Sequence, residues 1–307
     1  MGRKLRGFVA GCLALGATAG VAETLPVSGV YPAGNDAAAS LGSIAVEPFG
    51  GVDGQQFAIT LADKLRGVTI DGEPYLRIVP ASASGEVDAV LQGTAGAEAS
   101  RRDSGTREES VCVERDEDRD CIRREKHKIP CWDQVVRLDA AVRLVGIDGE
   151  LLYAFDRADE QAQRFCEGDD RPSAEGLVRQ LATRYADGLR ADLAPVQLFE
   201  QVRVMETRKG LSQDDGRAFR EAVRLTKDDP EAACAAWSAI EARNPENAAI
   251  LFNLGLCAES HGELYEAYDY YRGVLAGGED VGYARQGLGR IERRWRANAQ
   301  LESQRRP

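Results

Sequence analysis

The stretch CWDQVVRLDAAVRLVGIDGELLYAFDRADEQAQRFC, residues 131–166, decides the fold. It reads as one β-hairpin folded about Asp148-Gly149, a dipeptide that tolerates the positive φ angles a two-residue turn demands. Val136, Leu138, Ala140, Val142 and Leu144 share one parity, and Arg137, Asp139 and Arg143 the other. The first strand therefore has one apolar face. Beyond the turn, Leu151, Tyr153 and Phe155 alternate with polar or small neighbours. A two-residue turn sets Ile147 opposite Glu150, so that paired residue numbers sum to 297. That register sets Leu144 against Tyr153 and Val142 against Phe155, apolar on apolar. It also sets Cys131 opposite Cys166, which predicts a Cys131–Cys166 disulfide.

Toward the amino terminus, Ser43 to Phe49 reads as a buried strand, with Pro48 near its end, and Gly50 to Gly54 turns the chain into a helix. Phe57, Leu61 and Leu65 give that helix one apolar stripe. Tyr75 to Val79 and Asp88 to Ala97 are further strands. Past the hairpin, Ser173 is placed to cap a helix whose stripe is Leu177, Leu181, Tyr185, Leu189 and Leu193, with Pro195 stopping it. The expected order is β-α-β-β-β-β-α, an α+β class with helices packed on a mixed sheet. Val196 to Val204 is suited to add an edge strand.

A family resemblance rests on Ile44-Ala45-Val46-Glu47-Pro48-Phe49, the glycine-rich turn, the strand ending Arg77-Ile78-Val79-Pro80, and Asp88-Ala89-Val90-Leu91-Gln92-Gly93. Together these resemble the periplasmic domain shared by curli-assembly secretion lipoproteins, lipoprotein activators of penicillin-binding proteins and the amino-terminal domain of TolB. The resemblance covers about residues 42–200. It implies a non-catalytic envelope domain that binds other proteins.

Residues 101–132 hold Cys112, Cys121, Cys131, His127 and the run Asp116-Glu117-Asp118-Arg119-Asp120. The run opens like a calcium loop, but Cys121 and His127 stand where that loop needs glycine and a bidentate glutamate. A zinc site on Cys112, Cys121, His127 and Cys131 competes with two disulfides, Cys131–Cys166 by register and Cys112–Cys121 by elimination. The disulfides are preferred, with the charge run as a solvated hairpin tip and no metal or other cofactor expected.

Leu254-Gly255 recurs as Leu288-Gly289, 34 residues on, the period of the tetratricopeptide repeat. Aligned on Gly255, Gly262 falls at an inter-helix turn, Ala267 at a close helix crossing and Tyr271 in an aromatic slot, with Ala233, Trp237 and Pro245 one period earlier. These positions resemble the family at residues 211–298, an all-α repeat domain, with an irregular first helix because Glu221 replaces a glycine. Cys234 and Cys257 fall on neighbouring helices, where a disulfide and two buried thiols both fit. Such arrays offer a concave surface, for which Asn247, Asn253 and Glu259 are the partner-binding groove candidates. The arginine-rich end from Arg290 reads as a solvated helix end, in preference to a contact with an acidic partner or with the first domain, running into a disordered tail at 299–307.

Residues 1–22 read as a signal peptide: Arg3, Lys4 and Arg6, an apolar run, and Gly20-Val21-Ala22 before Glu23. A flexible leader at 23–41 would follow, and residues 201–210 would link the domains. Val9-Ala10-Gly11-Cys12 resembles a lipobox, giving an outer-membrane lipoprotein as the alternative to a soluble periplasmic protein. Cleavage is preferred, leaving six cysteines and taking the net charge from −11 to −14, a surface ill matched to nucleic acid. No transmembrane span is expected. No nucleophile, base or metal motif appears near His127 or His261, so no catalytic residue is assigned. The expected function is an exported adaptor for one or more envelope proteins. The alternative is a ligand-binding or hydrolytic protein using the Gly50–Gly54 turn, where helix amides would hold an anion.

Overall fold

The computed structural model describes residues 23–80, 82, 87–278 and 281–305. The signal-peptide segment expected at 1–22, Cys12 included, lies outside them. Contacts divide the described residues into two compact units, one within 28–199 and 289–305, the other within 23–27 and 200–288. The class is α+β with a mixed sheet, as the residue pattern implies.

The first unit is built on a five-stranded sheet of order β5-β2-β6-β7-β8. Its strands are β2 (Ser43–Val46), β5 (Arg77–Pro80), β6 (Ala89–Arg115), β7 (Cys121–Gly146) and β8 (Leu151–Cys166). β2 runs parallel to β5 and β6, while β6, β7 and β8 are antiparallel. Helices α2 (Gly54–Arg66) and α3 (Ala174–Leu193) cover one face. Both expected stripes, Phe57, Leu61 and Leu65 and then Leu177 through Leu193, lie in one core with Val136, Leu138, Ala140, Val142 and Leu144. Ser173 caps α3 by accepting the Gly176 N–H at 3.1 Å.

The hairpin register holds from Leu144–Tyr153 to Cys131–Cys166, every pair summing to 297. The turn itself differs. Gly146 donates to the Glu150 carbonyl at 2.8 Å, leaving a three-residue loop, and Val145 pairs with Leu151. A bulge at Leu152 then restores the register. Gly149, at φ +88°, supplies the left-handed residue that closes a loop of this length.

Three boundaries are corrected. The expected leader contains β1 (Thr24–Tyr31), which pairs with β9 (Val196–Arg203), and a short helix α1 (Asp36–Ala39) capped by Asn35. The third strand does not stop near Ala97 but runs to Arg115. Residues 299–304, placed in a disordered tail, belong to α8 (Val281–Gln304). Its last turns dock inside the first unit: Gln300 pairs with the Ala33 N–H at 2.9 Å and its carbonyl at 3.2 Å, and Arg296 bonds Asp36 at 2.9 Å. Gln304 donates to the carbonyls of Leu41 and Tyr75. Residues that look solvated are satisfying otherwise orphaned backbone groups. A two-residue hairpin of β3 (Thr69–Ile70) and β4 (Glu73–Pro74) is also present.

The second unit holds α4 (Gln213–Leu225), α5 (Pro230–Glu241), α6 (Ala248–Ser260), α7 (Leu264–Ala276) and the start of α8. Consecutive helices pack in pairs, α4 with α5 and α6 with α7, and α5 also packs on α6. Ala233, Trp237, Ala267 and Tyr271 are fully buried, and Gly262 takes φ +80° between α6 and α7. A Cβ on Gly255 would stand 2.6 Å from the Tyr271 ring, as would one on Gly287. Tyr271 therefore fills a slot walled by two glycines, and Gly287, not Gly289, is the second wall. α4 is a regular helix after all, because Glu221 faces solvent and bonds Arg224 at 3.2 Å.

Candidate functional site

The long strands carry a feature that the sequence pattern does not announce. β8 ends at Cys166, opposite Cys131, while β6 and β7 continue as a two-stranded arm from the Thr106–Pro130 pair to the tip. Ten residues of strand at about 3.3 Å each make an arm roughly 30 Å long. From 106 to 130, every residue except Cys112, Cys121, Ile129 and Pro130 is exposed. No apolar face exists there to be read, so periodicity is silent.

An isolated two-stranded ribbon is marginal in water, and this one is fastened at both ends. At its base the Cys131–Cys166 disulfide closes the third strand, and Glu167 donates to the Pro130 carbonyl at 2.9 Å. Arg107 grips Asp169 with two hydrogen bonds of 2.9 and 3.1 Å, and Arg164 bonds the Ser104 carbonyl at 3.1 Å. Asp169 thus braces the arm. Its pKa is lowered, first by the Arg107 hydrogen bond and then by the Cys166 N–H. At the tip, Cys112 is bonded to Cys121, and cross-strand pairs Arg123–Glu114 and Lys126–Glu108 lie at 3.1 and 3.2 Å. The competing zinc set is therefore divided between two disulfides. His127 stands opposite Glu109, and Asp116 accepts the Asp120 N–H at 2.8 Å. Among the described residues, no group of three or more acidic, histidine or cysteine side chains is arranged to hold a metal.

In the helical unit, a Cys234–Cys257 disulfide ties α5 to α6. An open groove of about 790 Å³ runs between Thr207–Gly210, Asn244–Leu251 and Gly273–Gly277. Asn247 lines it, but its side chain is committed: it caps α6 through Ala249 and Ile250 and donates to the Lys209 carbonyl at 2.8 Å.

Asn253 and Glu259 are not open groove residues. Both are fully buried. Glu259 accepts the Tyr271 hydroxyl at 2.7 Å. Asn253 accepts the Met205 N–H at 2.8 Å and donates to the Met205 carbonyl at 3.0 Å. A polar residue on a helix carries no mark of burial in the sequence, and its partner lies 48 residues away.

The glycine-rich turn is also spent internally. The N–H groups of Gly50, Asp53 and Gly54 donate to the carbonyls of Gly93, Ala95 and Gly51. Gly51, at φ +88°, packs so tightly that a Cβ would come within 2.2 Å of the Ala95 oxygen. Asp53 accepts the Ala97 N–H at 2.7 Å. The turn is a strand-to-helix joint, and the N–H groups of Gly50, Asp53 and Gly54 are not free to hold the anion of the alternative reading.

No protein-family model matches the chain, and no curated protein matches it. Among solved structures it is similar to the PelC dodecamer from Paraburkholderia phytofirmans, at 13% identity over 54% of this chain and 96% of that one. A single-substitution variant of the same dodecamer matches at 15% identity over 56% and 98%. The TM-score is 0.24 in both cases.

Proposed function

We propose that this chain is an exported cell-envelope adaptor, a disulfide-braced α/β unit and a short tetratricopeptide-like array that together hold other polypeptides. The arm carries the proposal. It buries no core, yet it is stapled at base and tip by two disulfides and a bidentate ion pair. A segment that adds nothing to the core but is held rigid is suited to present a surface without the entropic cost of ordering it on binding. Three disulfides fit an oxidising compartment. Among the described residues no helix is long and apolar enough to cross a membrane. The likeness of residues 42–200 to the curli-assembly group, and the glycine-walled Tyr271 slot of the array, support the same reading.

The test replaces residues 108–128 by a short Asp-Gly turn and compares crosslinked complexes from the envelope of the native cells. The expected outcome is a discrete partner on the full chain that is absent from the shortened one, with both chains unfolding at the same urea concentration. The same partner on both chains, or on neither, would remove the arm as the contact surface.

A further inference from the structure

α6 is buried from Ala249 to Glu259 along its whole length. Two of its sides are covered by α5 and α7. On a further side, Val204 and Met205, which follow β9, are buried to 1% and 5% exposure, with Met205 against Asn253. The Asn253 carboxamide pairs with both backbone groups of Met205, as a neighbouring strand would. Such a clamp reads an extended backbone rather than one side chain, and the two buried apolar side chains supply the anchor. The chain beyond the clamp, Thr207–Gly210, forms a wall of the 790 Å³ groove, whose other walls include Ala249 and Leu251 of the same helix. A second hollow of about 540 Å³ follows Arg203–Thr207 and Tyr283. Clamp and open groove thus lie along one track, traced by residues 204–210 and sharing Thr207 and Lys209 in the linings of both hollows.

We infer that this track is a seat for an extended polypeptide segment bearing two adjacent apolar residues, and that Val204–Met205 is its built-in occupant. The inference rests on reading the array as a polypeptide holder and names the chemistry of what it holds. A buried carboxamide facing an empty seat is costly, so the seat is filled by the chain itself until a partner segment displaces it. Because the occupant is tethered, it competes at an effective concentration in the millimolar range. A partner must therefore bind more tightly than that, or arrive as part of a larger interface.

The probe is a fluorescent peptide copying residues 200–208, EQVRVMETR. Fluorescence anisotropy would compare the full chain, the Val204→Gly/Met205→Gly variant, whose built-in occupant has lost its anchors, and that variant with Asn253→Ala added. The expected result is at least about tenfold tighter binding to the double variant than to the unaltered chain, and loss of that gain in the triple variant. Equal binding, or none, to the unaltered and double-variant chains with helical circular dichroism retained would overturn the inference. A second readout needs no variant. In the unaltered chain, millimolar unlabelled peptide should raise hydrogen exchange at the Met205 amide, and unchanged exchange at saturating peptide would equally overturn it. Neither readout depends on the arm, so failure of the capture experiment and failure of this one are separate results.

Discussion

The ribbon of β6 and β7 is two structures along one pair of strands. Between Leu91 and Ala97, and between Val136 and Leu144, alternate residues enter the core: Val136, Leu138, Val142 and Leu144 are fully buried beneath α2 and α3. From Thr106 to Pro130 the same ladder continues with both faces in solvent, lined by Arg, Lys and Glu. The backbone hydrogen bonds are of one kind throughout, so the difference lies in what the side chains bury. Near the core, hydrophobic transfer holds the sheet. In the arm, covalent and ionic fastenings do so. A strand pair can thus keep one geometry while its source of stability changes completely.

The sharpest way to break this comparison is a matched pair of truncations. Leu138→Ala should cost about 3–5 kcal/mol, because the site is fully enclosed and a cavity is left. Val111→Ala, on a residue 40% exposed, should cost no more than about 0.5 kcal/mol. Urea unfolding of both variants measures the difference. Similar losses would mean that the arm has a core of its own.

The disulfides divide in the same way. Cys131 and Cys166, 35 residues apart, join the arm's base to the core half, and replacing both with serine should cost about 3 kcal/mol in global unfolding. Replacing Cys112 and Cys121, only 9 residues apart at the tip, should leave the urea midpoint unchanged. It should instead speed trypsin cleavage at Arg115, Arg119, Arg123 and Arg124, because the arm opens locally without the core. A shift in the global midpoint from the tip pair would show that arm and core unfold as one.

What the sequence discloses follows the same division. The core half is legible because burial imposes alternation, and the apolar pairs and the two cysteines report its register, whereas the three-residue loop and the bulge at Leu152 leave no mark in the residue pattern. The arm is not legible because nothing is buried there, and a charged strand looks like a charged loop. The polar clamps fail for the opposite reason. Asn253, Glu259 and Gln300 are buried polar residues whose partners, Met205, Tyr271 and Ala33, are fixed by tertiary structure alone. One signal for α8 was present: Ala297, Gln300, Leu301 and Gln304 recur at helical spacing and form its docked face.

Acid should separate the two halves. The lowered pKa of Asp169, caused first by its hydrogen bond from Arg107, means that its contribution is present in full above the ordinary carboxylate pKa of 3.8. That contribution is lost as pH falls through the lowered value. Hydrogen exchange at the Arg107 to Ser110 amides, corrected for intrinsic rates, should therefore rise as pH falls below about 4 while that at Val136 to Val142 holds. Asp169→Asn should produce the rise at the higher pH already. Exchange that stays flat in both segments would mean that the disulfide alone fastens the base.

The smallest expected effect lies in the two turns that close the ribbon. At one end Gly146 donates to Glu150 and Gly149 to Gly146, at 2.8 and 2.9 Å. At the other, Asp116 donates to Asp120 and Arg119 to Asp116, at 3.0 and 3.1 Å. The loops match bond for bond, but the left-handed position is Gly149 at φ +88° in one and Arg119 at φ +68° in the other. An L-residue there costs about 1–2 kcal/mol. Part of this is offset by the Asp116 carboxylate on the Asp120 N–H and by the Arg115 guanidinium on the Arg119 carbonyl. Glycine would remove the strain but add about 0.5–1 kcal/mol of unfolded-chain entropy. Arg119→Gly should thus stabilise the tip by only about 0.5 kcal/mol, read as slower trypsin cleavage at Arg123. Gly149→Arg should cost about 1 kcal/mol in global unfolding, because its turn joins core strands. If Gly149→Arg proved silent, the shared hydrogen-bond pattern would not be what holds the core hairpin's register, and the bulge at Leu152 would have to set it instead.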